Sequence, residues 1–165
     1  MKDNERLVSL IRSFRPDSLL LAGERAEGLF ADYLADHPGC RVLHLPLEGL
    51  PGSLADHGRY DLAFVSGCLE HLDPIRAGEV IAALRDVHAR RLLVAVPVGG
   101  DRPGHRSHWE MADLLAYGLV QVGEYRRGDG MVHLYGFDIA TYKVTPDWLN
   151  SRYWANPELW DRYWW

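Results

Sequence analysis

Glu70 and His71 are adjacent in the stretch Ser66-Gly67-Cys68-Leu69-Glu70-His71-Leu72-Asp73-Pro74. A carboxylate beside an imidazole can face a substrate, with His71 as general base. Cys68 lies two residues earlier. Nothing in the sequence marks it with a depressed pKa, so it reads as a small buried thiol rather than a nucleophile. Cys40 and Cys68 form no CxxC pair, and two free thiols are expected. His105, His108 and Glu110 are spaced by three and by two. A helix starting at Ser107 would not bring all three to one face, so no metal site is expected. His108 follows an apolar strand, which places it near a substrate mouth. Asp129, in Gly128-Asp129-Gly130, reads as a turn residue.

The elements that must position these residues follow from periodicity. Leu7, Leu10, Ile11 and Phe14 mark an amphipathic helix over residues 5–14, stopped by Pro16. Ser18–Ala22, Arg41–Leu45, Asp61–Ser66 and Arg91–Pro97 read as strands. The third is almost wholly apolar, as in a parallel strand buried on both faces. Between them, Ala26–Ala35 and Pro74–His88 read as helices, the latter with Asp73 as N-cap and Pro74 in first place. Ser107 is expected to cap a helix through Tyr117. Two closing strands, Leu119–Tyr125 and Met131–Ile139, join at a hairpin signal. Strands alternating with helices predict an α/β fold with a mostly parallel sheet, about six strands, and an antiparallel C-terminal hairpin. Ligands of such sheets bind beyond the carboxyl ends of the strands. The loops starting at Gly23, Pro46, Ser66 and Val96 are therefore the ones to inspect.

The chain has 165 residues, 47% hydrophobic and 25% charged, which fits one domain (helix 1–14, core 15–140, tail 141–165). A net charge of −5, with no basic tail, speaks against a nucleic-acid surface. No apolar run approaches a membrane span, and the charged start does not read as a signal peptide, so the cytosol is expected. Five of the six tryptophans fall within residues 148–165. Thr145-Pro146-Asp147 and Asn156-Pro157-Glu158 read as starts of two short helices. These either pack on the domain or offer an aromatic patch for a protein partner or a second subunit.

The stretch from Tyr60 to Pro74 resembles the fourth-strand motif of class I S-adenosylmethionine (SAM)-dependent methyltransferases. There an Asp opens the strand, and a Leu-Glu-His-Leu-like sequence precedes a Pro-started helix. Leu92 to Pro97 is similar to that family's fifth strand, and Ser107 to Leu119 to its next helix and turn. The resemblance covers about residues 15–140 and implies a Rossmann-like fold in a small, degenerate bacterial branch.

This chain also departs from the family pattern. The usual acidic position before the cofactor loop is Leu21. Gly23 supplies the first glycine, whereas Arg25 and Glu27 stand at the second and third, with Gly28 next door. No carboxylate ends the second strand, and Glu48 is the nearest. Only residues 46–60 separate the second and third strands, too few for the strand–helix unit that walls the adenine in the family.

The resemblance implies methyl transfer from SAM to an acceptor that the sequence does not identify. Gly23, Glu24, Gly28, Ser66, Gly67 and Cys68 would line the cofactor, and Glu70, His71 and His108 would border the substrate. In the family, the Glu-His pair more often shapes the loop than performs chemistry. The alternative is a catalytically inactive methyltransferase fold that acts as an interaction module through its aromatic tail.

Overall fold

The computed structural model describes residues 2–23, 26–100, 102–127 and 130–142. Glu24, Arg25, the hairpin turn at 128–129 and the tryptophan-rich segment 148–165 lie outside the described residues.

Helix α1 (Lys2–Phe14) leads into strand β1 (Ser18–Ala22), helix α2 (Ala26–Asp36) and strand β2 (Arg41–Leu45). Two 3-10 turns, Leu47–Gly49 and Gly52–Leu54, fill the connection to strand β3 (Tyr60–Ser66). Leu50 and Leu54 anchor this connection in the core. No strand–helix unit forms there, as the short spacing requires.

Helix α3 (Pro74–Ala83) begins as expected: the Asp73 carboxylate accepts the Arg76 N–H at 3.0 Å, and Pro74 opens the helix. The predicted helix to His88 changes character on the way. One π-helical turn, Leu84–His88, ends it before strand β4 (Ala89–Pro97). Helix α4 (Met111–Ala116), strands β5 (Val120–Arg127) and β6 (Gly130–Asp138) and the single turn α5 (Ile139–Tyr142) complete the described chain.

The helix expected to be capped by Ser107 starts three residues later, with Glu110 in the cap position. Ser107 is buried, and its hydroxyl is already engaged. It donates to the Leu69 carbonyl at 2.7 Å and accepts the Trp109 indole N–H at 3.0 Å. A side chain that ties two loops together is not free to cap a helix.

The six strands form one sheet in the order β2-β1-β3-β4-β6-β5. β1 to β4 are parallel, and the β5–β6 hairpin is antiparallel. β1 is buried at every position, which explains its unbroken apolar run. Side chains alternate between the two faces. Leu19, Leu21, Leu62, Phe64 and Leu93 pack under α1 and α2, against Leu7, Ile11, Phe30 and Tyr33. Leu20, Ala63, Val65, Leu92, Val94 and Tyr135 pack under α3 and α4, against Val80, Ile81, Leu84 and Leu114. Leu21 thus belongs to the core beneath α1 and α2. β2, the outer strand on the shortened side, begins at exposed Arg41, carries exposed His44 and gives way to Pro46.

Candidate functional site

Strand order reverses between β1 and β3. From β1 the chain crosses to β2 on one side and then returns to β3 on the other. Open α/β sheets take their ligands beyond the strands' carboxyl ends at such a reversal. Gly23 and Gly67 follow the ends of β1 and β3 at this reversal, with φ of 86° and 60°. Both are left-handed conformations that L side chains resist. The Gly23 N–H donates to the Leu45 carbonyl at 3.2 Å, which fixes the turn to the end of β2. A Cβ on Gly23 would lie 2.6 Å from the Cys68 Cβ and 2.6 Å from the Ser66 carbonyl oxygen. The β1 and β3 loops therefore nest through this glycine, and any side chain there would force them apart.

Gly23, Ser66, Gly67 and Cys68 are brought together as the motif implied, but not all of them offer side chains. Ser66 and Cys68 are buried. Burial, aided by the charge of Glu70, pushes the Cys68 thiol up to about 12, so it is inert as a nucleophile. Gly28 lies on α2 with open space around it, away from this contact. Leu45, buried, occupies the end of β2, and Glu48 is exposed in the following turn.

The second half of the site is the turn Leu69–His71 and the segment 102–110 laid against it. The Glu70 carbonyl accepts the Arg106 N–H at 2.8 Å and the Ser107 N–H at 3.3 Å. These bonds bring His105 edge-on to His71, with ring centroids 5.7 Å apart, and set His108 6.3 Å from His105. Glu70 is only 5% exposed, and its Oε2 has no hydrogen-bond partner among the described residues. His71 and His108 are exposed, while His105 is half-buried. Burial holds His105 below the ordinary imidazole value. The charge of Glu70 opposes that shift, and His71, Arg102 and His108 reinforce it.

A cavity of about 410 Å³ adjoins this cluster, lined by Pro74, Ser107, His108, Trp109, Asp113 and Tyr117 among others. A larger groove of about 550 Å³ runs between α1 and the β5–β6 hairpin, and none of the residues above lines it.

His105 stands between His71 and His108, beside the turn that carries Glu70. Its spacing to His108 was visible in the sequence, but helical geometry was the wrong frame for it, because the segment is a loop. Among the described residues, no group of three His, Cys, Asp or Glu side chains gathers as a metal site. Glu110 instead opens α4, where its N–H donates to the Asp113 carboxylate at 2.8 Å. Among the described residues no helix is long and apolar enough to cross a membrane.

The architecture is that of the class I SAM-dependent methyltransferases. The chain is similar to magnesium protoporphyrin IX methyltransferase from Synechocystis PCC 6803, solved with SAH bound (TM-score 0.56, 15% identity, 82% of this chain and 81% of that one). It is similar to the N-terminal domain of EvdMO1 with SAH bound (TM-score 0.58, 14% identity, 82% and 80%). It is also similar to an O-methyltransferase family protein from Burkholderia thailandensis (TM-score 0.52, 15% identity), where it covers 82% of its own length but only 58% of the other chain. At these identities the likeness establishes the fold alone. A comparison with curated proteins gives no match. Residues 1–165 match the model of a family of unknown function, DUF6231, and the protein belongs to that family.

Proposed function

We propose that this chain is a SAM-dependent methyltransferase acting on a small acceptor. The observation that carries the reading is the pair of left-handed glycines, Gly23 and Gly67, facing each other where strand order reverses. Gly23 lets the β1 loop close on the β3 loop at Ser66 and Cys68, and the backbone of these two joined loops is what a ligand beyond the strand ends would meet. The turn that carries Glu70 and His71 begins two residues beyond Gly67.

The residues present fit the cofactor through this backbone. They fit it less well at the ribose, where buried Leu45 replaces an acid and only exposed Glu48 is near in sequence. Gly23 and Gly67 would hold the bound cofactor, which supplies an electrophilic methyl group on sulfonium sulfur. The protein's part is mainly positional, because orienting two reactants removes much of the entropic barrier. Ser107 and Trp109 fix the segment that carries His105 and His108. Neutral His105 can accept a proton from the acceptor near neutral pH. That two of the structural relatives hold SAH supports the cofactor assignment.

Titration calorimetry with SAM and with SAH tests the reading. Saturable heat with both, stronger for SAH or equal, is expected. No heat with either ligand at millimolar concentration overturns it.

A further inference from the structure

The groove of about 550 Å³ between α1 and the β5–β6 hairpin has apolar walls. Leu10 and Phe14 come from α1, Val120 and Val122 from β5, and Leu93 and Phe137 from the neighbouring strands. Glycine makes room for it. A Cβ on Gly136 would stand 3.2 Å from a Val122 methyl and 3.4 Å from a Leu93 methyl, so β6 contributes bare backbone there. Asp138 and Thr141, the polar side chains of the lining besides Tyr142, are already engaged. The Asp138 carboxylate accepts the Arg91 Nε–H at 2.7 Å and the Ala140 N–H at 2.9 Å, and the Thr141 hydroxyl donates to the Asp138 carbonyl at 3.4 Å. What the groove offers an occupant is therefore apolar surface. Val120 is 63% exposed and Val122 43%. Monomeric proteins rarely leave contiguous apolar surface uncovered.

The chain itself arrives at this groove. The Tyr142 ring lies over Gly118, where a Cβ would come within 2.8 Å of it, and its centroid is 5.0 Å from that of Phe137. Tyr142 is both a wall of the groove and the last described residue before 143–165. Trp148 comes only six residues later. An extended chain of that length reaches about 20 Å.

We propose that the groove is the seat of this chain's own residues 143–165, whose tryptophan side chains fill it. Five of the six tryptophans fall within residues 148–165. Seating them covers two apolar surfaces at once, the groove's and the segment's. A tethered segment also meets the groove at an effective concentration in the millimolar range, which a free partner must outcompete. The volume suits aromatic rings, since cavities of about 300–1,000 Å³ hold drug-sized molecules. Asp138, on the groove wall, is in register with Arg91, and Arg91 with Leu62 near the start of β3. The seat thus lies toward the end of the sheet away from Gly67, and the segment clasps α1 to the hairpin rather than covering the candidate cofactor loops. The inference does not rest on the methyl-transfer reading.

Proton NMR on the full-length protein tests this without any variant. NOEs from indole protons of residues 148–165 to the methyls of Leu10, Val120 or Val122 are expected, in a protein that is monomeric by light scattering. Absence of these NOEs, with indoles open to acrylamide, leaves the groove to another partner and overturns the proposal. A dimer in which they run only between differently labelled chains gives the groove to a second copy and also overturns it. Tryptophan fluorescence supplies a second arm, because most of the indoles belong to the segment. Val120→Lys puts a charge in the seat and should shift emission to the red and raise acrylamide quenching. Ile75→Lys, at a position 76% exposed on α3, is the matched control and should change neither. Native-like emission from Val120→Lys overturns the proposal, as does an equal red shift in both variants.

Discussion

Replacing Gly23 by alanine asks whether this glycine serves a ligand or the fold. With φ at 86°, an alanine there pays about 1–2 kcal/mol for the left-handed conformation. Its Cβ would also stand 2.6 Å from the Cys68 Cβ and from the Ser66 carbonyl oxygen, neither of which is the tip of a flexible side chain. Relieving that overlap moves backbone in one loop or the other, and overpacking of this kind costs about 1–3 kcal/mol. The sum is about 2–5 kcal/mol, a large part of the ~5–15 kcal/mol that holds an ordinary domain. Urea unfolding followed by circular dichroism, without any ligand, measures it directly. Gly28→Ala is the matched control from the same motif. Nothing lies within 4 Å of a Cβ there, and the residue is in helix α2. Alanine should therefore stabilise the protein by about 0.5–1 kcal/mol. A glycine kept only for cofactor approach would leave the free protein's stability untouched on substitution. A loss below about 1 kcal/mol at Gly23, less than the strain of the left-handed backbone alone, would refute the nesting of the two loops.

Three other outcomes follow from buried polar groups. Tyr135 is fully buried and its hydroxyl has no partner among the described residues, so Tyr135→Phe should raise stability by about 1 kcal/mol in a calorimetric melt, and a loss would show that the hydroxyl is satisfied. Ser107→Ala strands the Trp109 indole N–H and frees the Leu69 carbonyl. It should cost about 1–3 kcal/mol and alter the near-ultraviolet signal of Trp109, and a neutral result would sever the link between the two loops. His105 should titrate by NMR below the ordinary value of about 6.5. Because the folded form then binds fewer protons than the unfolded one, stability falls as pH drops from about 6.5 through the folded pKa. His105→Gln should flatten that slope, and a midpoint above the ordinary value refutes the burial argument.

The sheet was readable in the sequence because its strands are apolar runs cut off by glycine and proline. β1 and β2 fall at the expected residues, and the Asp73-Pro74 helix start is realised atom for atom. What misled the reading was Ser107. Its type and position matched a helix cap, but a distant carbonyl at Leu69 and a nearby indole claimed the hydroxyl first. Tertiary partners of that kind leave no trace in local spacing. His105 was obscured for the same reason, since only the bonds from residues 106 and 107 to Glu70 place it beside His71. The glycine motif was legible as a pattern but not in its cause: Gly23 packs against the protein's own β3 loop, and Gly28 packs against nothing.

The short connection between β2 and β3 also has a consequence for how the molecule meets its neighbours. With no further strand beyond it among the described residues, β2 leaves a row of backbone donors and acceptors at the margin of the sheet. Such a margin invites another chain to pair with it. β2 has five residues, starts with the guanidinium of Arg41 and ends against Pro46, which has no N–H to offer. A strand this brief, charged at one end and blocked at the other, makes a poor template for aggregation. The fold has lost a strand–helix unit without acquiring an adhesive edge.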